Sequence, residues 1–128
     1  MLITSIPQYI QGLTNAKLDL TTTNATVLYT APSDADFNAS VISSILVSED
    51  SGNADTITVT VTNTAGAVFS LFHVKAVGAS TTIELLTRDL ILQSAEILKV
   101  TAATANRLHV VASIQELAKT RISTSAIL

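Results

Sequence analysis

A serine or threonine nucleophile needs a general base beside it and a donor for the developing oxyanion. The chain offers two imidazoles for the first task, His73 and His109. Neither sits near a Gly-x-Ser-x-Gly elbow, and each reads more simply as an exposed strand residue. Two histidines with no cysteine and no His-x-x-x-His spacing are also a poor zinc set. The acidic residues form two groups, Asp34 with Asp36 and Glu49 with Asp50 and Asp55. These could supply oxygen ligands to Ca²⁺ if the two loops met at one end of the molecule. They lack the dense Asp-x-Asp-x-Asp-Gly spacing of a dedicated loop, so solvated turns are the simpler reading. The glycines Gly12, Gly52, Gly66 and Gly78 are scattered singly and build no phosphate cradle. The expectation is a protein that is not an enzyme, with no catalytic residue, no metal and no cofactor.

Composition narrows the classes further. A net charge of −3 with seven dispersed basic residues cannot supply the cationic stripe that neutralises phosphates, so nucleic acid is not an expected partner. Arg88, Asp89, Glu96 and Lys99 interrupt the densest apolar stretch, which argues against a membrane span. The first residues carry neither a basic region nor a long apolar run, so no secretory leader is expected. Asn24-Ala25-Thr26 and Asn38-Ala39-Ser40, which match a glycosylation acceptor, then read as chance. With Tyr9, Tyr29, Phe37, Phe69 and Phe72 as all the aromatics and no Trp, a sugar-reading surface loses weight. The hydrophobic fraction is 48% against 13% charged, which points to apolar surface covered by partners.

The elements that would position these residues are strands. Thr56-Ile57-Thr58-Val59-Thr60-Val61-Thr62 alternates β-branched polar with β-branched apolar residues, the period of a half-buried strand with Ile57, Val59 and Val61 inward. Further strands are read at 25–30, 40–48, 67–77, 81–86, 90–92, 97–100 and 107–115. In the last of these Leu108, Val110, Ala112 and Ile114 face one way and His109, Val111, Ser113 and Gln115 the other. Val41 to Val47 is apolar on both sides of the pleat, as in a strand covered on both faces or one whose outer face meets a neighbour. Ser33-Asp34-Ala35-Asp36, Glu49 to Asn53, Asn63-Thr64-Ala65-Gly66 and Gly78-Ala79-Ser80 supply turns. Short strands at this spacing predict an all-β fold, an antiparallel β-sandwich resembling a jelly roll.

Three segments are expected: an N-terminal arm over 1–16, a β-sandwich body over 17–116 and a C-terminal arm over 117–128. In the first arm Leu2, Ile3, Ile6, Tyr9, Ile10 and Leu13 recur at three- and four-residue spacing after a Ser5-x-x-Gln8 capping box, which predicts a short amphipathic helix. Ile3, Ile6, Tyr9, Ile10 and Leu13 in one arm, with Ile122, Ile127 and Leu128 in the other, are the candidate partner-binding residues.

Three stretches together, Leu28-Tyr29-Thr30-Ala31-Pro32, Val41 to Val47 and Thr56 to Val61, resemble a family of small β-sandwich proteins of tailed bacteriophages. The likeness continues through Gly78 to Leu85, Leu90-Ile91-Leu92, Ile97 to Ala102 and Asn106 to Glu116, so it covers roughly 24–116. Ser33-Asp34-Ala35-Asp36 and Ser94-Ala95-Glu96 stand where that family tends to place glycine-containing turns. The resemblance implies a virion structural protein: a capsid decoration or cement protein, or a neck, tail or fibre-associated module that binds a host ligand. It also implies other virion proteins as partners, such as the major capsid protein, a homo-oligomer such as a trimer, and assembly in the host bacterial cytoplasm.

Overall fold

A computed structural model describes residues 9–119. Nine strands follow in order: β1 (Tyr9–Asp19), β2 (Thr26–Thr30), β3 (Phe37–Glu49), β4 (Asp55–Thr62), β5 (Val68–Val77), β6 (Thr82–Glu84), β7 (Leu90–Leu92), β8 (Ile97–Ala102) and β9 (Leu108–Ala118). One sheet has the order β1-β9-β3, with β6 and β7 sharing the outer edge of β3; the other has the order β2-β8-β4-β5. All pairs are antiparallel. The pairing is nested: first strand with last, β2 with β8, β3 with β6 and β7, and β4 with β5 at the centre. A long hairpin folded over itself in this way is an all-β jelly-roll sandwich, the class expected from the alternation.

The core is where the inward sides of the two sheets meet. Ile57, Val59 and Val61 from β4 face Ile42, Ile45 and Val47 from β3 within one buried cluster. Asn63 shapes the β4–β5 hairpin, its Oδ1 accepting from Ala65 N at 3.0 Å and Ala67 N at 2.9 Å, with Gly66 at a φ of 88°. That positive φ is open to glycine at little cost. The turn 33–36 is closed by Asp34, whose Oδ1 accepts from Asp36 N at 3.1 Å.

The helix expected over the first residues is not found where the chain is described. From Tyr9 the backbone is extended and pairs with β9, Leu13 opposite Gln115 and Leu18 opposite Val110. An isolated short helix is marginal in water, whereas the open side of β9 offers a full ladder. The apolar spacing that mimics a helical period arises at a bulge between Ile10 and Gly12, which shifts the phase of alternation. Strands therefore run beyond 17–116 on both sides, starting at Tyr9 and ending at Ala118.

Candidate docking face

Two of the acidic groups singled out from sequence, Glu49 and Asp55, are buried and tie loops to the sandwich. Glu49, 2% exposed, accepts hydrogen bonds from Ser51 N at 2.8 Å, Gly52 N at 3.1 Å and Ser80 N at 2.8 Å, and from the Ser51 hydroxyl. Burial opposes its ionisation, but the donors from Ser51, Ser80 and the neighbouring backbone outweigh it and hold the carboxyl down at about 2. Asp55 is buried and accepts from Thr104 N at 3.1 Å. His109 lies between two carboxylates, Nε2 at 3.3 Å from Asp19 and Nδ1 at 3.5 Å from Asp50. His73 is exposed on β5.

The Ca²⁺ arrangement weighed from sequence required the two acidic loops to meet. They flank opposite ends of β3: Asp34 and Asp36 precede Phe37, and Asp50 and Asp55 follow Glu49. Thirteen residues of strand separate them, about 40 Å of extended chain at 3.3 Å per residue. Among the described residues no group of three or more His, Cys, Asp or Glu could hold a metal ion.

The outer faces of both sheets carry exposed apolar side chains. On the β2-β8-β4-β5 sheet, β4 turns Thr56, Thr58, Thr60 and Thr62 outward, and Thr60 pairs with Lys99 of β8 and Ser70 of β5. On the other sheet the outward rows mix apolar and polar side chains, with Asn15, Ser113 and Ser44 forming a polar row between two that carry apolar ones. One row runs Leu13, Gln115, Val41, Ile91 across β1, β9, β3 and β7. A second runs Lys17, Val111, Leu46, Glu84 across β1, β9, β3 and β6. Beyond the first, Ile10 pairs with Leu117, which pairs with Ala39. Leu13 is 75% exposed, Ile10 56%, Ile91 53% and Leu46 41%. Large exposed apolar side chains are divided between the two sheets, Ile10, Leu13, Leu46 and Ile91 on this one and Val27, Val68, Phe69, Leu71 and Val74 on the other.

Glu84 fixes the edge of this face. Its carboxylate spans the gap between β6 and β7, accepting from Ile45 N at 2.8 Å, Leu86 N at 3.1 Å and the Ser44 hydroxyl. Burial again works against ionisation, and these donors reverse it, holding the carboxyl below its ordinary range.

Of the eight partner-binding residues expected from sequence, Ile10 and Leu13 lie on this face. Tyr9 opens β1, and Ile3, Ile6, Ile122, Ile127 and Leu128 lie outside the described residues. Val111 stands on the outward side of β9, as the alternation of that strand predicts, whereas Ile91 and Leu117 were not singled out from sequence as surface residues. The two-sided apolar pattern of Val41 to Val47 was the sequence signal for this face, since Val41 and Leu46 both stand on it, either side of Ser44.

No family model matches the chain, and no curated protein does. Among solved structures it is similar to a chain from the structure of infectious bursal disease virus Gx strain, with a TM-score of 0.51 and 8% sequence identity. The match covers 84% of this chain and 32% of the viral one, so this chain spans about a third of that protein's length. The likeness is one of fold: a jelly-roll sandwich that also occurs in a virus protein.

Proposed function

We propose that this protein is a non-enzymatic structural component of a virus particle, most specifically a decoration or cement protein of a tailed-phage head. The observation that carries the reading is a jelly-roll sandwich with large apolar side chains exposed on both sheets, Ile10, Leu13 and Ile91 on one and Val68, Phe69 and Val74 on the other. Those side chains are surface for a partner to cover. Jelly rolls recur in capsid proteins, which is support at the level of fold. The sequence resemblance to small phage β-sandwich proteins adds the phage assignment.

Attachment is mechanical in this reading. Burying apolar surface stabilises by about 25 cal/mol per Å², less the cost of ordering and immobilising the partners. Many copies on one particle add avidity. The arm residues Ile3, Ile6, Ile122, Ile127 and Leu128 contribute contacts to adjacent virion proteins. The purified protein should co-sediment with undecorated phage heads, and a form lacking 1–8 and 120–128 should do so more weakly. Failure of the full chain to load on any head or tail intermediate overturns the reading.

A further inference from the structure

We propose that β5 is a hinged strap: its stretch from Val68 to Val74 leaves β4 as a unit while both of its ends and the rest of the sandwich stay folded. This goes beyond the assembly role above and does not depend on it.

Little holds this stretch in place. β5 is an edge strand with β4 as its single hydrogen-bonded neighbour. Of its ten residues only Val77 is buried, and Phe72 is the one side chain before it that packs against the core. Val68 is 62% exposed, Phe69 53% and Val74 54%. The sheet across from it ends in two strands of three residues each, β6 and β7. Leu71 and Phe72 therefore line, with Leu85, Leu86 and Leu90, an open notch of about 350 Å³ rather than a filled interior. A strand with few buried apolar contacts and exposed ladder bonds opens locally at a small fraction of the cost of global unfolding.

The ladder is also broken within the stretch. Val59 pairs with Phe72 and Thr60 with Ser70, pairing resumes at Ile57 with Lys75, and the register is irregular on both sides of Val59. Leu71, His73 and Val74 have no registered partner on β4. Val74, at a φ of 52°, turns its N–H to the Thr58 hydroxyl. A β-branched residue is strained in that region, and opening releases the strain.

The two ends are tied down. At one, Asn63 holds the hairpin through Ala65 N and Ala67 N. At the other, Val77 is buried and Ser80 N donates to Glu49 at 2.8 Å. β4 itself stays on β8, with unbroken register from Ile57 to Thr62. The exposed edge strand β1 differs, because its ladder to β9 is continuous from Gly12 to Asp19 and runs into buried Leu20. Release of the strap bares the free side of β4, whose N–H and C=O groups then stand open to an incoming extended chain.

Native-state hydrogen exchange on the full chain tests the strap. The ladder amides within 68–74 should exchange at least about 100-fold faster than those of β8 and β9, at a rate that low urea barely changes, as a local opening requires. The chain has no cysteine, and Thr60 and Ser70 stand opposite each other in the ladder. Opposed strand residues lie within the Cα separation that a disulfide spans. In Thr60→Cys/Ser70→Cys the oxidised bond should slow exchange across 68–74 by at least about tenfold while β8 and β9 keep their rates, and reduction should restore fast exchange. Exchange of these amides as slow as those of β8 and β9 in the natural chain overturns the proposal. So does fast exchange that the oxidised bond leaves untouched.

Discussion

Tyr29 of β2 donates its phenolic O–H to Glu116 of β9, and the same oxygen lies 2.7 Å from the Ser40 hydroxyl of β3. One side chain thus joins the two sheets through polar contacts. Burial first, and then the Glu116 contact, push the phenol well above its ordinary range, so it remains a donor. Tyr29→Phe leaves the carboxylate and Ser40 short of a partner. A hydrogen bond to a charged group is worth about 1.5–3 kcal/mol, and urea unfolding should show a loss of that size with an unchanged m-value.

Acid stability follows from Glu49. Its carboxyl titrates at about 2 in the folded chain against an ordinary 4.5, so the folded state favours the ionised form. The stabilisation is fully present above about pH 4.5 and is lost as pH falls through about 2. Glu84, shifted in the same direction, adds to the same slope. Melting temperature measured across this window should fall steeply for the natural chain and less steeply for Glu49→Gln, which begins less stable at neutral pH. Equal slopes for the two proteins would refute the assignment.

Exposure separates core from contact surface. Ile45 is fully buried between the sheets, and Ile45→Ala should cost about 2–5 kcal/mol through lost transfer energy and a residual cavity. Ile91 is 53% exposed, and Ile91→Ala should change the stability of the separated chain by less than about 0.5 kcal/mol. Denaturant titration at a dilution that favours single chains tests both.

Edge strand β5 carries a local conflict. Val74 has a φ of 52°, a left-handed conformation, at a step where its N–H bonds the Thr58 hydroxyl at 3.0 Å instead of the ladder. A β-branched residue is strained there, and Asn tolerates the conformation better. Val74→Asn should raise stability by about 0.5–1 kcal/mol, read as an upward shift in the urea midpoint.

Much of the fold was legible in the sequence because the strand period is a local property. Thr56 to Thr62 foretold that Ile57, Val59 and Val61 would be buried, and they are 1%, 0% and 8% exposed. Asn63 to Gly66 announced its hairpin. The first strand was hidden because its inward positions, Gly12, Thr14, Ala16 and Leu18, are mostly small or polar, and a bulge moves Ile10 and Leu13 onto a false helical spacing. Glu49 looked like a solvated loop acid, since nothing local shows that Ser51, Gly52 and Ser80 converge on it. The docking face was legible only at Val41 and Leu46, because its rows join β1, β9, β3, β6 and β7, and cross-strand neighbours are set by sheet order rather than by spacing along the chain.

The central claim is that this chain attaches to a virus particle through exposed apolar side chains and its terminal arms. The direct test is co-sedimentation of the natural chain, beside a form lacking 1–8 and 120–128, with undecorated phage heads. The result expected is loading of the full chain that the truncation weakens. Absence of the full chain from every head and tail intermediate would contradict the claim.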